Sequence, residues 1–404
     1  MIDVKHSTMT IIELIWLQSP RKHLQQDAPM NFQHSSAQKN IPVILGGFHP
    51  TLLPEEALQH ADAIVTGDAE SVWQNLLNDA EAGMLKRRYD AAPSQPQQII
   101  LPRRDLFSGK GYLPISLMQF SRGCMNECTF CAISSFFNQT HRTRLISEMV
   151  REIKSQNLKM IFFVDDNITM NKEAAKELFR ALIPLKIQWV SQASIDIACD
   201  TELMDLMAAS GCLGNVIGFE SINPQTIREM NKTPNRVSEG YETEISTLKR
   251  YGLQVWAAFT LGHDTDSKES LYDLYEFALR HKFTFAAYNV LMPYPGTPFY
   301  EKLKQEHRLL YDGTWWNHPE YHFNHAAFKP AQMSSNELTD IAFDIRKKWS
   351  SPSTVIKRSL DLKTNMKTLQ KMMIFWKYNL LFRRETFKKQ DMKFGYGDIG
   401  SGSS

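Results

Sequence analysis

The feature that most constrains this chain is an alternation. Between residues 115 and 291, short apolar runs rich in β-branched and aromatic residues recur, separated by stretches with helical spacing. The runs are Ile115 to Phe120, Met160 to Val164, Gln188 to Ala193, Asn215 to Phe219, Val255 to Leu261 and Ala286 to Leu291. Helices are predicted between them at Ser147 to Gln156, Lys172 to Leu182 and Ser270 to Arg280. Repeated strand–helix units of this kind put successive strands parallel in one sheet, covered by helices. With 404 residues, 43% of them hydrophobic, the chain can bury one such domain and a smaller one. Chemistry in these folds collects on the loops at the C-terminal ends of the strands, which vary without disturbing the core.

The first of those loops carries a cluster of thiols. Of five cysteines, too few for a disulfide framework in a chain this long, three fall in Cys124-Met-Asn-Glu-Cys128-Thr-Phe-Cys131, after the turn Ser121-Arg122-Gly123. Thiolates suit iron–sulfur clusters and zinc alike. Structural zinc takes four ligands, whereas Cys199 and Cys212 are distant in sequence. Three thiolates on a four-iron core leave one iron open for a reactant. The alternatives are a zinc site completed by a histidine, or buried inert thiols.

This CxxxCxxC loop after a strand resembles the signature of the radical S-adenosylmethionine (SAM) superfamily. The resemblance implies a partial (β/α)6 barrel and a [4Fe-4S] cluster on Cys124, Cys128 and Cys131. It also implies SAM bound at the open iron and cleaved by one electron to a 5'-deoxyadenosyl radical. An electron donor such as flavodoxin or ferredoxin follows from the same chemistry. The strand ends supply candidate SAM contacts: Asp165 and Asp166 for its amino group, Ser191 and Gln192 on the third strand, and Glu220 in Gly218-Phe219-Glu220-Ser221, which is similar to a G-[FI]-E-S segment of the family. Plainer readings are a helix N-cap for either aspartate, solvated strand-end residues for Ser191 and Gln192, and a salt bridge for Glu220, because an unpaired charge is costly there. Gly262-His263-Asp264-Thr265-Asp266 reads as a turn that caps the next helix, so His263 is not taken as catalytic. Pro293-Tyr294-Pro295-Gly296-Thr297-Pro298-Phe299-Tyr300 looks like the rigid P-x-P-G-T-P-x-[YF] turn of one branch of the superfamily.

That branch usually carries a cobalamin-binding domain in front of the barrel. Here Pro42 to Thr51 is an apolar strand running into Gly46-Gly47, with His49 and Thr51 beyond, and Ala61 to Glu70 repeats the pattern at Gly67. Glycines at strand ends let a ligand approach the backbone, and the resemblance makes Gly46, Gly47, His49, Thr51 and Gly67 candidate cobalamin contacts. Two departures count against it: residues 20–40 are polar and loop-like where further βα units are expected, and there is no D-x-H-x-x-G segment. A cobalamin site and a half-domain that merely packs on the barrel both remain open.

The expected organisation is a partial cobalamin-binding-like, Rossmann-type α/β domain at 1–91, a linker at 92–111, the barrel at 112–310, a helical extension at 311–394 and a disordered tail at 395–404. Trp315-Trp316-Asn317-His318-Pro319-Glu320-Tyr321-His322-Phe323 reads as a surface loop anchored by tryptophans, with a substrate-pocket wall as the second option. Residues 357–393 combine excess lysine and arginine with an apolar face, which fits either a solvated cap on the barrel, the preferred reading, or peripheral contact with an anionic membrane. The short apolar run at Ile11 to Leu17 is broken by Glu13 and lacks a cleavage site, no run is long enough to span a membrane, and cytoplasmic localisation is the expectation. A net charge of +2 gives no push toward nucleic acid. The function expected is cobalamin-dependent methylation of an unactivated carbon on a small-molecule or lipid-like substrate. A cobalamin-independent radical cyclisation or rearrangement is the alternative, and a non-catalytic Fe–S redox protein a more distant one.

Overall fold

The computed structural model describes residues 42–93, 102–107, 115–237 and 239–393. The apolar run at 11–17, the polar stretch at 20–40, much of the linker and the tail lie outside them. Eleven strands are numbered in chain order. The small sheet has β1 (Ile44–Gly46), β2 (Ala63–Thr66) and β3 (Arg88–Asp90); the large one has β4 (Ser116–Met118), β7 (Met160–Phe163), β8 (Gln188–Ala193), β9 (Cys212–Glu220), β10 (Gln254–Leu261) and β11 (Phe285–Val290). A two-stranded ribbon, β5 (Ser121–Arg122) with β6 (Arg142–Thr143), lies between β4 and β7 in sequence.

The large sheet runs β4-β7-β8-β9-β10-β11, every neighbouring pair parallel. Strand order follows chain order, so each helical crossover adds one strand beside the last and the sheet curls as a partial barrel. β8 and the helix Lys172–Leu182 fall where the sequence puts them. β9 starts at Cys212, three residues before the apolar run at Asn215 to Phe219. Gly214 has a steric cause: a Cβ there would stand 2.0 Å from the Gln254 carbonyl oxygen on β10, so only glycine lets the strands pair. The helix after β10 corrects an expectation. Asp266 does not cap it but accepts the Gly262 and His263 amides at 2.8 and 2.9 Å, and Ser267 caps Lys268–Arg280 through a reciprocal pair with Ser270. The barrel interior is closed by large rings, with Phe219 stacked on Phe259 and Phe283, and Phe179 on Trp189.

The small sheet is parallel, β2 in the middle and buried along its whole length. Val43, Ala57, Ala61 and Ile64 pack on one face and Ala63, Val65, Leu76 and Tyr89 on the other, the two-sided burial of a doubly wound α/β unit. Its strand ends meet the barrel. Arg122 reaches Glu70 at 2.6 Å, Arg142 reaches Asp68 at 2.8 Å, and Phe48 stacks on Phe136 with centroids 4.2 Å apart.

The C-terminal extension wraps the barrel as three helices, Ser335–Trp349, Pro352–Ser359 and Leu369–Lys389. Its anchor is Arg358, fully buried, whose guanidinium donates to the carbonyls of Phe283 (3.3 Å), Thr284 (2.8 Å) and Trp349 (3.2 Å) and to Asn379 Oδ1 (2.9 Å). It also lies 3.9 Å from the Trp349 ring centroid. Phe283 and Thr284 precede β11, so one side chain joins two extension helices to the N-terminal edge of the sheet. Arg358→Ala strands four acceptors in the interior and is expected to lower unfolding free energy by about 3 kcal/mol, read as a shifted midpoint in urea titration.

Candidate functional site

The cysteine loop is fixed from three sides. Where β4 gives way to β5, Asp165, at the end of β7, accepts the Phe120 amide at 3.1 Å, the Ser121 hydroxyl at 2.5 Å and the Ser121 amide. Burial pushes its carboxyl up to about 7 against the pull of these donors. Further along, the Thr129 amide donates to the Met230 carbonyl at 3.0 Å, and the Phe299 amide donates to the Thr129 carbonyl at 2.9 Å. The proline-rich turn is therefore tied directly to the loop between Cys128 and Cys131. Gly123, at φ 84°, is required because a Cβ there would meet the Thr140 carbonyl oxygen at 2.1 Å.

Cys124 and Cys131 are half-buried and Cys128 is buried. Burial raises all three thiols, Cys128 to about 12, with Lys232 pulling the other way. Backbone amides point at the sulfurs, from Asn126 to Cys124 and from Ser134 and Ile133 to Cys131. Thiols with these pKa values become thiolates only when a strong cationic acceptor takes their charge. Among the described residues, one group of three potential ligands lies with all ligand atoms within 4.8 Å, and it is elsewhere. The three sulfurs are thus spread wider than the shell of one ion with Zn–S bonds of about 2.3 Å. Three spread thiols with amide donors and no fourth cysteine fit a [4Fe-4S] core with one open iron.

The candidate SAM residues divide. Asp165 has both oxygens committed to the loop. Asp166 accepts the Gly123 amide at 3.3 Å and stands close enough to Cys124 and Cys131 to raise both thiols. Ser191 is buried and donates to the Phe163 carbonyl at 2.9 Å, and Gln192 donates to the Asp165 carbonyl at 3.1 Å, so both bind β7 to β8. Glu220 sits beyond a register shift between β9 and β10, at φ 61°, and pairs with Lys232 at 2.6 Å. A Cβ at Gly218 would fall 2.4 Å from the Glu220 Oε1 and 2.6 Å from the Lys232 Nζ, so that glycine makes room for the pair.

Lys232 escapes sequence reasoning, although a glutamate at a buried strand end is itself a signal that a counter-charge must exist. Burial disfavours its ammonium, but Glu220, Cys128 and Cys131 together hold its pKa above the ordinary value. Met170 was also not anticipated: its thioether accepts the Met125 amide at 3.1 Å and lies 3.5 Å from the Cys124 sulfur.

Beside the loop, a cavity of about 170 Å³ is lined by Phe130, Thr260, Asn289, Met292, Tyr294 and Trp315, with Tyr321 and Phe323 at its wall. The tryptophan segment is anchored by its tryptophans as expected, with Asn317, Pro319 and Glu320 exposed, and its aromatic side chains also form part of the cavity wall. Trp315 and Trp316 are buried with Tyr321 against Leu53, Met292 and Tyr294, and the Trp315 indole donates to the Pro293 carbonyl at 2.9 Å. The candidate cobalamin residues are committed in part. Thr51 donates to the Gly47 carbonyl at 2.7 Å and accepts the Gly67 amide at 2.9 Å. His49 faces Glu56 at 3.6 Å, and Glu56 also accepts Trp316 and Asn317. Gly47, at φ 101°, and Gly67, at φ 74°, remain as glycine strand ends.

The family model described as the radical SAM superfamily matches residues 118–278, the span from β4 through the helix after β10 that holds all three cysteines and Glu220. That segment carries the radical SAM domain. The chain is 28% identical over 365 residues to the bacteriochlorophyllide d C-12(1)-methyltransferase of Chlorobaculum tepidum, covering 88% of this chain and 76% of that one. It is 24% identical to the hopanoid C-2 methylase of Rhodopseudomonas palustris, covering 72% of this chain and 57% of the relative. Among solved structures it resembles the cobalamin-dependent SAM radical enzyme OxsB, with TM-score 0.63 at 13% identity over 89% of this chain and 61% of that one. It also resembles the methyltransferase TsrM from Kitasatospora setae, with TM-score 0.59 at 15% identity over 74% of this chain and 66% of that one.

Lys232→Met removes the cation shared by Glu220 and the thiols. It is expected to cost about 3 kcal/mol or more and to reduce iron and sulfide retained after anaerobic reconstitution. The double variant Lys232→Met/Glu220→Gln, having no stranded charge, should recover much of the stability in denaturant titrations but not the lost iron and sulfide retention.

Proposed function

We propose that this radical SAM protein methylates an unactivated carbon of a large, apolar, polycyclic small molecule, with cobalamin held between the small sheet and the barrel. The observation that carries the reading is the joint between them. Phe48, directly after Gly46-Gly47, stacks on Phe136 in the helix that follows Cys131. The glycine ends of the small sheet therefore adjoin the cluster loop, where a methyl carrier has to stand to serve a substrate in the adjoining cavity. The relatives named above as methyltransferases support it, and two of them act, by name, on a bacteriochlorophyllide and a hopanoid.

Within this reading each residue has a task. Cys124, Cys128 and Cys131 hold the cluster, which when bound supplies the electron that cleaves SAM. Asp166 and the Glu220–Lys232 pair receive the charged methionine end of SAM: the ammonium on Asp166, the carboxylate on Lys232. Asp165, Ser191 and Gln192 keep the strand ends rigid beneath it. Gly46, Gly47 and Gly67 offer the corrin a backbone surface, whereas His49 and Thr51 brace that surface through Glu56 and the glycine backbone. The cavity walls are mostly aromatic and aliphatic with Thr260, Asn289 and Asn324 as polar groups, and its volume of about 170 Å³ takes one edge of a hydrophobic ring system and not the whole molecule. The electron donor in this reading is a flavodoxin or ferredoxin.

The test is anaerobic purification from cells supplied with cobalamin, followed by incubation with methyl-labelled SAM, a reductant and candidate chlorin or hopanoid substrates. Cobalt near one per chain, 5'-deoxyadenosine and label on the product are expected. 5'-Deoxyadenosine without bound cobalt returns the reading to a single-SAM cyclisation or rearrangement.

A lipid-like substrate also gives a use to the outer face of the helix Leu369–Lys389. Leu369, Met373, Trp376, Leu380 and Phe387 form an exposed apolar stripe at helical spacing, beside Lys377, Arg383, Arg384 and Lys388. No described helix is long and apolar enough to cross a membrane. This arrangement supports peripheral attachment to an anionic surface over a purely solvated cap. The protein is expected to co-sediment with vesicles containing 30 mol% phosphatidylglycerol more than with phosphatidylcholine alone, by about tenfold or more for several basic residues at about 1 kcal/mol each. Lys377→Gln/Arg383→Gln/Arg384→Gln should abolish that preference without changing iron content.

A further inference from the structure

A second ligand cluster lies away from the cysteines. His322 Nδ1 and His325 Nε2 each stand 2.8 Å from the same Asp391 oxygen. All three ligand atoms lie within 4.8 Å of one another.

The local backbone explains the convergence. Residues 322–325 form a β-turn closed by the His325 amide on the His322 carbonyl at 3.1 Å, with Asn324 at φ 72°. The turn puts both imidazoles on one side, and the His325 ring is steadied edge-on against Phe343 at 5.5 Å. Asp391 arrives from the other end of the extension, just after the helix Leu369–Lys389. It is held there by main-chain pairing: the Phe323 amide donates to the Met392 carbonyl at 2.8 Å, and the Asp391 amide to the Phe323 carbonyl at 3.2 Å. His322 bridges Lys393 in the same ladder. Two nitrogens and a carboxylate oxygen thus come from segments 66 and 69 residues apart in sequence.

The geometry points to a site for a divalent transition ion of the zinc type, bound by His322 Nδ1, His325 Nε2 and one Asp391 oxygen, which clasps the end of the chain's last helix to the turn beside the cavity. Two imidazoles and a carboxylate are a donor set such ions prefer. A tetrahedral ion with bonds of about 2.0–2.1 Å needs its ligands roughly 3.3 Å apart, so each N–O separation widens by about half an ångström while the two nitrogens, within 4.8 Å of each other, settle to the same spacing. The groups are partly exposed, which leaves a fourth position for water. Without an ion, two N–H donors crowd one exposed oxygen, an arrangement that contributes little to stability in water. With an ion, both lone pairs and the carboxylate charge are used at once.

The clasp matters because of what lies between its ligands. Phe323 and Asn324, the residues between the two histidines, line the cavity next to the cluster loop and also the groove under the last helix. An ion there fixes the cavity wall and the helix Leu369–Lys389 as one unit. It needs neither the cobalamin nor the methyl-transfer reading.

Zinc is titrated calorimetrically into cluster-reconstituted protein after chelator treatment and desalting. The expected result is one saturable site per chain with micromolar or tighter affinity, and slowed amide hydrogen exchange at residues 321–325 and 389–393 when zinc is present. His322→Ala, His325→Ala and the shape-preserving Asp391→Asn should each weaken binding by a factor of about 10 to 100 or more, with iron content unchanged, while His318→Ala should not. No saturable zinc binding by the wild type, or equal binding by the three ligand variants, overturns the site. Binding that leaves exchange in both segments unaltered overturns the clasp.

Discussion

One buried ammonium organises the charge at the head of this barrel. Lys232 lies against Glu220 and is felt by the three cysteines. In a low-dielectric space neither a lone carboxylate nor a set of thiolates is tolerable without a counter-charge. The pair in turn dictates its surroundings. It leaves no volume for a side chain at Gly218, and it coincides with the register shift and left-handed backbone at Glu220. Strained backbone of this kind persists only where the surroundings over-determine it, as the pairing of β9 with β8 and β10 does here.

The loop that carries the thiols is made rigid by groups that do no chemistry. Asp165 commits both oxygens to holding Phe120 and Ser121, and the proline-rich turn reaches Thr129 through one amide. This division of labour between adjacent acids, one structural and one facing the sulfurs, allows a reactive centre to be built from loop residues without loose geometry. Preorganisation has to come from the strand ends because the loop itself contains little regular structure.

The fold was legible in the sequence wherever the pattern was local. Strand–helix alternation located β7, β8, β10 and β11 to within a residue or so, and thiol spacing located the cluster loop. Long-range partners were hidden. Nothing local says that Lys232 folds back on Glu220, that the tryptophans at 315 and 316 are buried under Leu53, or that Arg358 holds the N-terminal edge of the sheet. Spacing also fails to tell which of two adjacent acids points inward, since Asp165 and Asp166 differ only in the side of the strand end they leave from. The start of β9 was hidden for a similar reason: Gly214 lies inside the strand because the Gln254 carbonyl on β10 comes too close for any side chain.

The C-terminal extension is best understood as a frame and not as an appendage. Its inner side is committed to the barrel through Arg358, Asn379 and Arg346, the last donating to the Tyr288 carbonyl at 2.8 Å. Its outer side carries the apolar stripe, and its end returns to the turn at residues 322–325 that borders the cavity. A helix anchored this firmly on one face cannot bury its other face by rotating. The exposed leucines, methionine and tryptophan therefore stay on the outer face, flanked by Lys377, Arg383, Arg384 and Lys388. The same rigidity transmits position: a surface held by the last helix is fixed relative to the cavity wall at Phe323, so that whatever the outer face contacts is kept at a constant distance from the cysteine loop.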